Sequence, residues 1–291
     1  MMKRAYQVVD VFTAVPLLGN PVAVVLDAQG LDTTAMQAIA GWTNLSETTF
    51  LLPPETSEAD YKLRIFTPRS ELPFAGHPTL GSAHAALSAG RVSPRAGRLV
   101  QECGVGRVRL DVTGAGEDRV ITLAMPPSKL TPLSMDEVEE LEAILGTPVD
   151  RAAQPTIVNV GAVWVVARVA SAAHLLALRP DFGRSAAFER RLGVTGVTLF
   201  GPHEQGEAEI EVRSFAPSAG VDEDPVCGSG NGSVAVFRHA YGLLPDGNSR
   251  YTAAQGQCIG RKGRIEVRVA SNGAVQVGGK CVTTVEGTLI T

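Results

Sequence analysis

LPFAGHPTLGSA at residues 72–83 and DPVCGSGNGSVA at 224–235 decide the fold, because the second is a divergent copy of the first. Upstream, Thr49, Pro53, Arg64, Phe66 and Pro68 recur 149 residues on as Thr198, Pro202, Arg213, Phe215 and Pro217, and a three-residue insertion then separates the two blocks. Downstream, GRVRLDV from Gly106 falls on GRIEVRV from Gly263, with Cys103 and Cys258 near equivalent positions. Matches in this order are the mark of an internal duplication.

The same rhythm of elements runs through both copies. Val22 to Leu26, Thr48 to Leu52 and Leu63 to Phe66 are short β-branched or apolar runs bounded by Pro, Gly or Asn, and read as strands. Thr79 to Ser88 and Gly232 to Leu243 read as Ala-rich apolar helices, each opened by a glycine-containing loop. Ser271-Asn272-Gly273 predicts a hairpin turn between Ile265 to Val269 and Ala274 to Val277. Amphipathic Thr33 to Trp42 and Met135 to Leu145 supply one further helix per half.

The expected fold is therefore α+β: two pseudo-symmetric domains, each a mostly antiparallel sheet around a central helix. Their limits are 1–128 and 129–291, since Ala124-Met-Pro-Pro-Ser-Lys-Leu-Thr131 joins two prolines to polar residues, and the last strand is expected to return to the first domain.

Bulk properties exclude several function classes. The 291 residues are 44% hydrophobic and 19% charged, with a net charge of −4 and no Lys/Arg run, so nucleic acid is not an expected partner. No stretch reaches the roughly 20 apolar residues of a membrane span, and Asp10 interrupts the apolar start, so a cytoplasmic protein is expected. Four cysteines without a CxxC pair and five histidines without HExxH spacing give neither a disulfide framework nor a metal site.

Two glycine loops feeding two helices place unpaired backbone N–H groups at the head of each copy, a natural anion site suited to a small carboxylate substrate in an interdomain cleft. Gly76 in the first loop, and Gly228, Ser229 and Gly230 in the second, are the candidate binding residues. Polar positions at which the copies disagree are candidates for chemistry that only one side performs: Glu47 faces Gly196, His77 faces Ser229, and Asp224 faces Leu72. Each also has a structural reading, Glu47 as a surface strand cap, His77 and Asp224 as turn residues before Pro78 and Pro225.

The duplication resembles the diaminopimelate epimerase fold, in which a cysteine from each helix-start loop exchanges a proton with the substrate. Here Cys227 has only Ala75 as its counterpart, so a two-thiol racemase is not supported. VDVFTAVPLLGNPVAVV from Val9, NLSETTFLL from Asn44, FTPRSELPFAGHPTLG from Phe66 and DPVCGSGNG from Asp224 resemble more closely the phenazine-biosynthesis PhzF family.

That resemblance implies an isomerase needing no cofactor, with Glu47 as proton shuttle. His77, Asp224 and Ser229 would surround a small cyclic amino acid such as dihydro-3-hydroxyanthranilate, and a homodimer is expected. Cys227 stands where the family commonly has threonine, and Gly230-Asn231-Gly232 where small alanines are frequent, which bears on substrate identity. Two alternatives stay open: an amino-acid epimerase using Cys227 with Glu47, and a catalytically silent binding protein on the same scaffold.

Overall fold

The computed structural model describes residues 1–245 and 247–291. In chain order the elements are β1 (Lys3–Val11), β2 (Asn20–Val25), α1 (Thr33–Thr43), β3 (Thr48–Leu52), β4 (Tyr61–Phe66), β5 (Glu71–Leu72), α2 (Gly76–Ser88), β6 (Arg98–Cys103), β7 (Gly106–Thr113) and β8 (Val120–Ala124). There follow β9 (Lys129–Pro132), α3 (Met135–Leu145), β10 (Thr156–Val160), β11 (Ala162–Arg168), α4 (Ala172–Ala177), α5 (Phe182–Leu192), β12 (Gly196–Pro202) and β13 (Ile210–Phe215). The last are α6 (Gly228–Ala240), β14 (Ser249–Gln255), β15 (Gly263–Val269), β16 (Val275–Gly279) and β17 (Cys281–Ile290). Two compact units result, one of Met1–Leu123 with Gly278–Thr291, the other of Ala124–Val277.

In the first unit β1 lies antiparallel to β2 and to β17. The sheet continues with β2 parallel to β3, β3 antiparallel to β4, β4 parallel to β6, and β6 antiparallel to β7. The second unit repeats that order of directions from β10 to β15. Registers repeat as well: Thr49 pairs with Ile65 and Phe50 with Arg64, as Thr198 pairs with Ser214 and Leu199 with Arg213. The 149-residue repeat is thus a repeat of hydrogen-bonding register, and the architecture is the α+β one expected.

Each sheet wraps a helix buried almost all round, α2 against β1 to β4 and β17, α6 against β10 to β12 and β15. Small side chains permit this approach; a methyl group on Gly81 would overlap the side chains of Val22 and Val11. Several interior polar groups are paired: Thr49 Oγ1 with Ser82 Oγ at 2.7 Å, Gln101 Nε2 to Thr79 Oγ1 at 3.0 Å, and Asn231 Nδ2 to Gln255 Oε1 at 2.8 Å. Phe50, Phe66, Met36 and Ala40 form a second layer under α1. In the other unit Leu141, Ile144, Leu145, Phe188 and Phe215 do so under α3 and α5.

The structure differs from the expected elements in two main ways, besides an α6 that ends at Ala240 rather than Leu243. First, α2 and α6 begin at Gly76 and Gly228, earlier than the apolar runs suggest, because Pro78 and Gly230 are accommodated inside the first turn. Second, α4 and α5 add helices to the second unit. Asp181 accepting from the Arg184 N–H and left-handed Gly193 at φ 65° cap α5, and both were readable cap residues. Among the described residues no helix is long and apolar enough to cross a membrane.

A shared strut precedes both buried helices. Arg64 grips Glu71 bidentately at 2.7 and 2.7 Å, its guanidinium 5.1 Å from the Phe66 ring centroid. Arg213 grips Glu223 at 3.0 and 2.7 Å, 4.9 Å from Phe215. The first pair is partly solvated, with side chains 22% and 39% exposed, whereas the second is buried at 4% and 6%. Glu223→Ala, which strands a buried guanidinium, is expected to lower unfolding free energy by about 3–5 kcal/mol. Glu71→Ala should cost less than about 1 kcal/mol, with urea denaturation as the measure of both.

Acid sensitivity has an identifiable source in α2. Burial, reinforced by the charge of Arg119, lowers the pKa of His84 to about 4 from an ordinary 6.5. Because the folded pKa lies below the unfolded one, the unfolded chain takes up the proton first. This contribution to stability is intact above pH 6.5 and lost as pH falls toward 4. At about 1.4 kcal/mol per unit the full loss is about 3–4 kcal/mol. A His84→Gln variant should show a correspondingly shallower fall in urea midpoint between pH 7 and 4.5.

Candidate active site

Helix α1 ends on Asn44 in the left-handed region at φ 55°, turning Leu45-Ser46-Glu47 into β3. The Glu47 carbonyl accepts from the Ala23 N–H at 3.3 Å, which ties this residue to β2. Its carboxylate Oε2 lies 3.3 Å from His77 Nε2 on the first turn of α2, with side chains only 15% and 10% exposed. The two atoms are close but not aligned as a hydrogen bond, and among the described residues neither has another partner. A buried base beside a buried imidazole, each with an unused polar atom, has capacity to bind and exchange protons with a guest molecule.

The repeat explains why a carboxylate stands on one side only. At Gly196, the counterpart of Glu47, a methyl group would sit 2.7 Å from the Trp164 ring and overlap the Phe215 carbonyl. The second unit has no room for an acid there.

The second unit carries its own polar constellation at the start of α6. Asp224 donates its N–H to Ser214 O at 2.8 Å, and its Oδ1 accepts from the Val226 N–H at 3.0 Å, so its turn-forming reading holds in the structure. Ser229 Oγ accepts from Trp164 Nε1 at 3.0 Å and lies 3.6 Å from Cys227 Sγ. Gly230 is packed against Ser214 and Thr198, where a methyl group would approach their hydroxyls to 2.6 and 2.8 Å. By contrast, Gly76 has open space where a side chain would go.

Cys227 caps α6, its Sγ accepting from the Gly230 N–H at 3.2 Å. Burial, then the charge of Asp224, pushes this thiol far above its ordinary pKa, against weaker opposing hydrogen bonds from Ser229, the Gly230 N–H and Ser214. At neutral pH it is a protonated thiol and a poor base.

Five participants escaped the sequence reading. Gln255 on β14 accepts from the Cys227 N–H at 3.1 Å and from Asn231, and donates to Asp224 O at 3.0 Å, bracing the whole turn. Gln101 serves α2 similarly through Thr79, and the shared signal was a glutamine shortly before each of Cys103 and Cys258. Glu71 and Glu223 are identical residues in register with the duplicated block, one position ahead of its start, and extend it. Trp164 has no sequence signal for its contact with Ser229. Among the described residues no cluster of metal-ligating side chains occurs.

The sequence model of the family described as Phenazine biosynthesis-like protein matches residues 9–287. The chain belongs to this family. A curated relative, Antisense-enhancing sequence 1 of Schizosaccharomyces pombe, is 40% identical with 99% of each chain covered. The trans-2,3-dihydro-3-hydroxyanthranilate isomerase of Pseudomonas chlororaphis is 36% identical, covering 98% of this chain and 99% of the relative.

The solved structure of a Bacillus anthracis PhzF-family protein superposes with a TM-score of 0.89 at 23% identity, covering 100% of both chains. The fold alone extends to a probable proline racemase of Agrobacterium radiobacter, with a TM-score of 0.67 at 14% identity, covering 99% of this chain and 93% of that one. The phenazine biosynthesis-like family thus shares the diaminopimelate epimerase-like duplication, and this member is an isomerase of the PhzF-type isomerase and epimerase group.

The state of Cys227 is open to direct measurement. Iodoacetamide at pH 8 should label exposed Cys258 well before Cys227, which should react only on unfolding, as peptide mass spectrometry would show. Early labelling of Cys227 would restore a thiolate to the site.

Proposed function

We propose that this enzyme shifts a proton within a small cyclic amino acid of the trans-2,3-dihydro-3-hydroxyanthranilate type, with Glu47 as the proton carrier. The observation that carries this reading is the buried, otherwise unpartnered approach of Glu47 Oε2 to His77 Nε2. Glu47 takes a proton from one ring carbon and returns it to another on the same face. One C–H bond breaks, one forms, and the double bonds move between them. Nothing is oxidised or reduced overall, so the balance requires no cofactor.

His77 holds a polar substituent and sets the charge against which Glu47 works, and Asp224 receives the amine. The substrate carboxylate goes to Ser229 and the free N–H groups at the start of α6, as the dipole of a helix favours an anion at its head. The protonated state of Cys227 weighs against an epimerase in which that thiol serves as the opposing base.

The test is proton NMR of the enzyme with trans-2,3-dihydro-3-hydroxyanthranilate in deuterated buffer. Wild type should convert the substrate, with deuterium entering the ring to the extent that the proton held on Glu47 exchanges with solvent before transfer. Glu47→Gln, which keeps the shape and removes the base, should lower kcat by about 10²–10⁴. Retention of most of the rate in Glu47→Gln would assign the proton transfer to another group.

A further inference from the structure

The geometry points to Trp164 as a positioning residue, whose indole N–H fixes the Ser229 hydroxyl so that the start of α6 receives a carboxylate. This rests on the reading above, in which the substrate carboxylate meets Ser229.

Trp164 lies on β11, only 3% exposed, directly beside Gly196 in the parallel register of β11 and β12. Gly196 makes the space: any side chain there would press on the indole ring. The residue that stands in the second copy where the first has Glu47 is therefore what admits the indole. A buried indole N–H needs an acceptor, and the one it has is Ser229 Oγ at 3.0 Å.

This contact determines what the hydroxyl can do. With the indole donating into one lone pair, the Ser229 proton is left to donate elsewhere. Among the described residues it meets only Cys227 Sγ at 3.6 Å, a weak acceptor. The Gly230 N–H is spent on Cys227 Sγ and that of Asn231 on Cys227 O. Among the described residues the N–H groups of Gly228 and Ser229 have no acceptor. Three donors thus remain at one helix head, a number suited to the two oxygens of a carboxylate. Without the indole, Ser229 would be free to turn its proton into the protein.

The protein has two tryptophans, and Trp42 is 78% exposed, so two indole N–H signals are readily told apart and one serves as a control. In ¹⁵N-labelled protein the Trp164 signal should exchange slowly with water and shift in Ser229→Ala, while that of Trp42 stays put. Benzoate and 3-hydroxyanthranilate should each move the Trp164 signal saturably. Trp164→Phe should weaken 3-hydroxyanthranilate about tenfold and 2-aminophenol, which lacks the carboxylate, less than about twofold. In turnover it should raise KM with little change in kcat, and it should cost nothing further in a Ser229→Ala background.

The proposal is overturned if the Trp164 signal ignores Ser229→Ala, if neither carboxylate moves it, or if Trp164→Phe weakens both ligands equally, as lost packing would. Carboxylate binding without isomerisation of the dihydro compound would sink the substrate reading and leave this role of Trp164 standing. Should Trp164→Phe fold poorly, the wild-type and Ser229→Ala spectra decide the matter.

Discussion

Everything in this chain is organised by the burial of one helix inside each sheet. A helix enclosed on every side must carry small or apolar side chains, which accounts for the Ala, Gly and Ser content of α2 and α6. It also pairs much of the polarity it takes inside, as Thr79, Ser82 and the Asn231 amide N–H are paired, while Ser233 Oγ and Asn231 Oδ1 have no partner among the described residues. Its first N–H groups have no intrahelical partner whatever the sequence. The head of the helix is thus where a nearly dry interior presents unspent donors, and the candidate polar residues of each unit gather there or beside it.

Comparison of the two copies separates scaffold from chemistry. Both retain the Arg–Glu–Phe strut and a buried glutamine bracing the helix, since each unit must hold its own turn in place. They part at Glu47 and Gly196, at His77 and Ser229, and at Ala75 and Cys227. Steric demand enforces the first of these differences, because Trp164 and the Phe215 carbonyl occupy the space an acid would need. Duplication left two equivalent helix heads, and divergence gave a carboxylate–imidazole pair to one and a hydroxyl–indole pair to the other.

Much of this was legible in the sequence because period and composition act locally. The 149-residue spacing translates into strand register at Thr49 and Thr198, and Met135 to Leu145 became a helix with the limits read from its pattern. Helix starts were misjudged at Pro78 and Gly230, residues that usually break helices but are tolerated in a first turn. Glu47, His77, Asp224 and Ser229 stood out as polar departures from the repeat. The partner that orients Ser229 did not, because Trp164 reaches it across a span that no local pattern encodes.

The pairing of β1 with β17 has a consequence for how the protein is made. Lys3 lies opposite Ile290, so a strand made early completes its ladder with one made much later. The second unit, by contrast, is continuous in the chain and can close its sheet earlier. Until β17 arrives, one edge of β1 presents unpaired backbone groups, the kind of edge that recruits neighbouring chains. A nascent chain of this design therefore needs its β1 edge shielded until β17 has paired with it.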